Sequence, residues 1–385
     1  MKRNRFEILL ICMFVFFSCK QNVEGDAERL IELIEIDESY MENPEQFSIC
    51  FIPLETNDEC EIGNITSLIS TSKGYIILDA QLSKKIVVFD RDGKYISNIG
   101  KIGNGPGEYI SPISFSVSPN EDEIAVIDGA KNSIIFYSLV DYSFTREQKI
   151  PFYAAYMEYL NNGELIWYNK GKDLSDILIK TDANLNIKKT LLKRDFYSGY
   201  TIGSTRKLYK MQDRIYAYTP FSPILHEIYD DSITKVIKFS FGNQEFPPLA
   251  FFEQECQKGQ ENYIPALQKS AYISYFDIFE NETHFCIPFF IKGMMFYGFH
   301  NKKNNNSYKI TQKNMQDLLK VGFFSSPVGV NIEGEFISLL NPDTIRELLE
   351  EQSYDLNEEL KEIVTKSKEG DNPILLLLKI NGRFV

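Results

Sequence analysis

GYIILDAQLSKKIVVFDRDGKYISNIG, residues Gly74 to Gly100, alternates short apolar runs with polar turns. The first run closes on Asp79, a polar turn follows, and Ile86 to Phe89 makes the second run. A further turn and strand complete the unit. β-Branched and aromatic residues in four- to six-residue runs, broken by Asp, Gly and Lys, are the pattern of antiparallel strands. DEIAVIDGAKNSIIFYSLVDYSFTREQKI, from Asp122 to Ile150, repeats this order, with an apolar strand ending in Asp128 and a second running from Ile134 to Tyr137.

Weaker copies continue along the chain. ELIWYNKGKDLSDILIKTD puts Asn169 at the Asp position, and RIYAYTPFSPILHEIYDD puts Thr219 there. HFCIPFFIKGMMFYGFH supplies a fifth strand pair. EFISLLNPD opens a sixth, whose partner PILLLLKINGRF arrives only at the C-terminus. A fixed repeat of this size marks a radial or stacked architecture. About six units of about four strands predict an all-β, six-bladed β-propeller, in which radial repetition protects the sheet edges. At a strand end, Asp79 and Asp128 are placed to accept backbone N–H bonds from the following turn, a structural role.

Two stretches break the strand rhythm, near residues 247–272 and 342–368. In the second, Ile345, Leu348, Leu349, Leu356, Leu360, Ile363 and Val364 have helical spacing. Thr344 with Glu347, and Asp355 with Glu358, fit capping boxes, and Gly370 is a stop with Pro373 beyond it. These are short helical insertions with an apolar stripe packed on the propeller.

The N-terminus reads as an address. A basic start is followed by an apolar run from Ile8 to Phe17 and then Ser18-Cys19. The run suits a signal-peptide h-region and is short for a membrane span. Phe16-Phe17-Ser18-Cys19 resembles the bacterial lipobox, departing from it at Phe16, where Leu is common. In this reading residues 1–18 are removed, Cys19 is lipidated, 19–29 form a tether and 30–385 form the propeller. Several acyl chains on one Cys give the multiple anchors that stable attachment needs. An ordinary secretory signal with an incidental Cys is the alternative. Lys20, where an Asp would resemble an inner-membrane retention signal, points to the outer membrane.

Gly103-Asn104-Gly105-Pro106-Gly107-Glu108-Tyr109, IPLET at Ile52 to Thr56, and DNPILLLLKI near the C-terminus occur in that relation to the repeats. Together they resemble the six-bladed β-propeller lipoproteins of Bacteroidetes, distant relatives of NHL-repeat proteins. The resemblance covers about Ile31 to Phe384. It implies a ring closed by pairing an N-terminal strand with C-terminal ones, with Leu30–Ile36 and Ile374–Ile380 as candidates, and it implies no reaction. The Gly-rich loop lacks the Gly-Lys-Ser/Thr ending of a phosphate loop. Gly103, Gly105 and Gly107, with Pro106, read instead as a tight positive-φ path between blades.

Chemistry-bearing motifs are sparse. The three histidines, His226, His284 and His300, have no ligand partner at zinc spacing. Glu121-Asp122-Glu123 could take calcium but reads more simply as a solvated acidic tip. There is no Gly-x-Ser-x-Gly elbow. The one tryptophan, Trp167, reads as inter-blade packing. Cys50, Cys60, Cys256 and Cys286 leave three disulfide pairings, or free thiols, open. Asp231-Ser232-Ile233 and Asp343-Thr344-Ile345 resemble O-glycosylation acceptors of exported Bacteroidetes proteins, making Ser232 and Thr344 candidates. A net charge of −13 without a basic stripe argues against nucleic acid as a partner. The expected function is a membrane-anchored binding or scaffold module for a glycan, peptide or envelope protein, with no cofactor. The alternatives are an envelope lyase or lactone hydrolase with a channel-mouth site, calcium-dependent in one form, and a ligand sensor that signals through a partner.

Overall fold

The computed structural model describes residues 28–32, 46–169, 176–193, 207–211, 214–218, 224–230, 232–241, 244–256, 258, 260–351 and 354–381. They form six antiparallel sheets arranged as blades. Blade I is Ser67–Thr71, Gly74–Asp79, Lys85–Asp90 and Tyr95–Asn98. Blade II is Pro112–Val117, Glu123–Asp128, Ser133–Ser138 and Phe144–Lys149. Blade III is Ala154–Tyr159, Leu165–Asn169, Asp176–Thr181 and Ile187–Lys193. Blade IV is Leu208–Met211, Arg214–Tyr218, Ile224–Tyr229 and Ser232–Ser240. Blade V is Ile273–Phe276, His284–Ile291, Met294–Asn301 and Ser307–Thr311. Blade VI is Gly329–Val330, Phe336–Leu340, Ile374–Ile380 and, outermost, Phe47–Pro53. First strands of neighbouring blades touch one another around the axis.

The core is divided into wedges, one between each pair of adjacent blades. Side chains of a strand point alternately to opposite faces. In Gly74–Asp79, Tyr75 and Ile77 therefore meet Leu375 and Leu377 of blade VI, while Ile76 and Leu78 meet Phe115 and Val126 of blade II. Both faces are covered, so the whole strand is buried and apolar rather than alternating. Burying each such Ile or Leu is worth about 1.5–3 kcal/mol, so a polar substitution on either face opens one wedge. Trp167 sits fully buried in the II–III wedge, its Nε1 donating to Thr181 Oγ1 at 2.9 Å and its ring edge-on to Phe152.

The ring closes differently from the expected pairing. Ile374–Ile380 pairs antiparallel with Phe47–Pro53, from Phe47 against Ile380 to Pro53 against Ile374. Phe47 and Phe51 enter the V–VI wedge, an apolar contribution that the Glu-interrupted run 30–36 does not offer. Glu28–Glu32 instead lies parallel to Ser232–Ser240 on the outer edge of blade IV. The IPLET and DNP motifs meet at the closure. Asn372 Nδ2 donates to the carbonyls of Glu55 (2.7 Å) and Cys60 (2.9 Å), and its Oδ1 accepts from Ile62 N (2.8 Å).

Five helices are described: α1 Leu249–Cys256, α2 Gln260–Lys269, α3 Gln312–Leu319, α4 Pro342–Glu350 and α5 Glu358–Lys366. The expected insertions hold α1 with α2 and α4 with α5, whereas α3 was not expected. The caps also differ. Asn341 Oδ1 accepts from Asp343 N and Thr344 N, and Asn357 Oδ1 from Glu359 N and Leu360 N, so Asn rather than Thr344 or Asp355 starts each helix. Ile345, Leu356, Leu360 and Val364 join the V–VI wedge, so the stripe of α4 and α5 is packed on the propeller. Each helix follows a second or a fourth blade strand in sequence. In an up-and-down blade those strands end on the same side of the ring, so all five helices stand on one face. The opposite face carries the turns that join first to second and third to fourth strands.

Candidate functional site between blades IV and V

On the opposite face, helix-free among the described residues, strands of blades IV and V bring charged side chains to a cavity of about 370 Å³. Arg214 opens the second strand of blade IV, with Tyr216 two residues on and on the same face. Glu227 and Lys235 are opposite each other on the third and fourth strands. Glu280 to Glu282 turn into the second strand of blade V, and Lys302 follows its third.

Glu227 is 3% exposed, within a strand that is apolar apart from it and His226. A buried carboxylate needs partners, and Glu227 has several. Arg214 and Lys235 pair with it, Tyr216 donates its phenolic hydrogen to Oε2 at 3.2 Å, and Thr234 donates to Oε1 at 3.3 Å. Glu280 Oε1 accepts from Lys302 Nζ at 2.5 Å, while its buried Oε2 has no hydrogen-bond partner among the described residues. The Lys302 ammonium also stands 5.4 Å from the centroid of the Phe285 ring. Burial, and then the neighbouring Glu280 and Glu227 carboxylates, push the Tyr216 phenol far up. Tyr216 therefore keeps its proton and acts as a donor, not as a base. Three carboxylates (Glu227, Glu280, Glu282) face three cations (Arg214, Lys235, Lys302) around the cavity. The result is a neutral site with both donors and acceptors, suited to a polar, uncharged ligand. None of these residues was singled out by sequence motifs. The only local signal is a Glu inside the apolar strand ILHEIY.

The residues singled out from sequence lie elsewhere. Asp79 is fully buried. Its Oδ2 accepts from the N–H groups of Gly63 (2.9 Å), Asn64 (3.1 Å) and Ser83 (3.0 Å), and its Oδ1 from Gln81 (3.0 Å) and Leu82 (2.9 Å). Burial raises its pKa, but these bonds outweigh that and hold the carboxyl below its ordinary value. Asp128, also fully buried, accepts from Ile110, Ser111, Ala130 and Lys131 N–H groups. Each carboxylate thus ties the segment entering its blade to the turn after its own strand. The second half of that arrangement, the entering segment, was not foreseen.

The Gly-rich loop folds against blade II through a Tyr137 hydroxyl bond to the Gly107 carbonyl at 3.1 Å. Of its glycines only Gly107 has positive φ, at 71°. At Gly103 a Cβ would stand 2.0 Å from Glu108 Oε2, which accepts from Gly105 N at 2.8 Å, so a side chain there would displace the Glu108 carboxylate. Pro106 completes the turn. The acidic tip is not free in solvent, because Glu121 binds Ser72 and Glu123 binds Arg146 and the Tyr159 hydroxyl. Among the described residues no group of three or more His, Cys, Asp or Glu could hold a metal ion.

His284 and His300 are buried in blade V and hydrogen-bond Thr283 and Ser307, with the three histidines spread over two blades. Cys50, Cys60 and Cys286 are free thiols; the Cys256 side chain and Cys19 lie outside the described residues. Ser232 and Thr344 are both exposed, at the start of a strand and in the first turn of α4. Among the described residues no helix is long and apolar enough to cross a membrane.

Blade number, strand order and ring closure define the class: a six-bladed propeller of four-stranded antiparallel blades. The chain belongs to the DUF5128 family of 6-bladed beta-propellers, whose model matches residues 20–338. It is similar to a Bacteroides fragilis protein described as exported, at 28% identity and a TM-score of 0.83, over 92% of this chain and 100% of that one. A member of the DUF4221 family from Bacteroides vulgatus shares the fold at 9% identity, with a TM-score of 0.54 over 88% of this chain and 99% of that one. No curated protein sequence matches the chain.

Proposed function

We propose that this protein is a lipid-anchored, extracytoplasmic binding module of the outer membrane that holds a small polar ligand between blades IV and V. The observation that carries the reading is the cavity where buried Glu227 and partly buried Glu280 are held by Arg214, Lys235 and Lys302, with one buried Glu280 oxygen left without a donor among the described residues. Sugar hydroxyls, which donate and accept at once, match that lining. Export and anchoring are supported by the apolar run ending in Ser18-Cys19 and by the exported description of the Bacteroides fragilis relative. Exposure of Ser232 and Thr344 supports their reading as O-glycan acceptors.

A thermal-shift screen with envelope glycans and peptides tests the binding reading. A ligand at a hundred times its Kd stabilises by about 2.7 kcal/mol, which for a domain of this size is about 3–4 °C. The shift is expected with a glycan class and is expected to vanish in Glu280→Gln and Lys302→Met. A shift that survives both variants would place the ligand elsewhere, and a shift with peptides alone would correct the ligand class.

A further inference from the structure

The strand Glu28–Glu32 fixes a direction as well as a position. It runs parallel to Ser232–Ser240, with Glu28 beside Val236 and Glu32 beside Ser240. The N-terminal end of the strand, at Glu28, therefore points toward Ser232, which is the side of the turn between the third and fourth strands of blade IV. That side is the helix-free face, and the cavity lined by Arg214, Glu227 and Lys302 opens on it.

We infer that the N-terminal anchor holds the propeller with its helix-free face, and the cavity on it, turned toward the bilayer. The inference rests on the anchoring of Cys19 proposed above. Nine residues separate Cys19 from Glu28 and span at most about 32 Å when extended. From Val236 to the edge at Ser232 is about 13 Å of strand, so the lipid stands no more than about 20 Å beyond that face. The opposite orientation would need the chain to reverse at Glu28, climb about 13 Å to reach the level of Ser240, and clear helices about 10 Å thick, such as α1 and α2, which follow that strand. That leaves less than about 10 Å to reach the membrane, before the residues spent on the reversal. The anchored cavity is thus offered to a ligand displayed at the membrane surface rather than to one arriving from bulk solution.

The test uses the full-length lipoprotein purified from membranes of the expressing bacterium and reconstituted in phosphatidylethanolamine–phosphatidylglycerol vesicles. Cys50, the exposed free thiol, is replaced by Ser. A fluorophore is then placed at Lys303→Cys, exposed on the helix-free face, or at Thr365→Cys, exposed on α5. Vesicles carrying headgroup nitroxide lipids are expected to quench the Lys303 label at least threefold more strongly than the Thr365 label. Equal quenching, or stronger quenching at Thr365, overturns the orientation. Failure of the protein to float with the vesicles overturns the anchoring reading itself, a separate outcome. A further readout needs no label: deleting residues 22 to 26 should bring the face closer and raise quenching at Lys303. Unchanged quenching there would also count against the geometry.

Discussion

Replacing Asp79 by Asn tests whether a carboxylate at the end of the second blade strand holds the segment entering blade I. Asp79 accepts five backbone N–H bonds, three on one oxygen and two on the other. An Asn side chain keeps the shape but turns one oxygen into a donor, so at least two of those N–H groups lose their acceptor. Bonds to a charged acceptor are worth about 1.5–3 kcal/mol each, and some of the freed groups reach water in the turn. The expected loss is about 3–5 kcal/mol. With an unfolding entropy of about 2.1 cal/mol/K per residue, that lowers Tm by about 4–6 °C. The assay is thermal unfolding followed by the fluorescence of Trp167, the single tryptophan, which sits two blades away in the II–III wedge. Asp90→Asn is the control. Asp90 accepts only from Asp92 N and Lys94 N in an exposed turn, so it should cost about 1 kcal/mol and move Tm by about 1 °C. Because the Asp79 pKa lies below its ordinary value in the folded protein, its stabilisation is full above the unfolded value near 3.9 and is lost as pH falls through the folded one. Asp79→Asn should therefore converge with wild type in strong acid. An Asp79→Asn melting point within about 1 °C of wild type at neutral pH would refute the reasoning.

Gly107→Ala combines a left-handed backbone at φ 71° with a Cβ 2.6 Å from Phe144 Cβ. It should cost about 2–4 kcal/mol in chemical denaturation, whereas Gly163→Ala, with φ 80° and open space around it, should cost about 1–2 kcal/mol. Equal losses would show that the contact with blade II is unimportant. Burial, helped by Lys302 and Lys303, lowers the His284 pKa to about 4. Its imidazole should thus stay neutral from pH 8 down to 5 in an NMR titration. The sign follows from linkage: the unfolded imidazole takes a proton first, so the stability it contributes is full above about pH 6.5 and declines as pH falls toward 4. His284→Gln should flatten that decline, and an imidazole titrating near 6.5 in the folded protein would contradict the burial argument.

The repeat was legible in blades I and II because both faces of their strands are covered. Tyr75 to Leu78 and Ile124 to Ile127 have no polar residue to blur the pattern, and each ends on Asp. The closing strand differs from the expected one because ERLIELIE, with four apolar residues, comes close to FSICFIP, with five, and sequence does not reveal which run meets an open wedge. Helix α3 is not legible because its apolar positions, Met315, Leu318 and Leu319, amount to one turn of pattern. The candidate site was illegible for a different reason. Arg214, Glu227, Lys235, Glu280 and Lys302 sit on separate strands and turns of two blades, and each alone looks like a solvated charge. Only the burial of Glu227 distinguishes it, and burial comes from the neighbouring blade.

The closure by Phe47–Pro53 also sets an order of events. The strand is synthesised roughly 330 residues before its partner Ile374–Ile380, so it must wait unpaired while five blades are made. Bringing ends that far apart together costs about 3–4 kcal/mol more chain entropy than closing a five-residue turn. Blades I to V can be sealed by local hairpins, but the sixth cannot. Until it is, Phe47 and Phe51 and the apolar edge of Ile374–Ile380 stand open at once, two complementary sticky edges on one chain. At high concentration the same edges can find each other between chains, joining Phe47–Pro53 of one molecule to the last blade of the next. Assembly of the final blade is therefore the step at which folding competes with aggregation, and a chaperone that shields Phe47–Pro53 would act there.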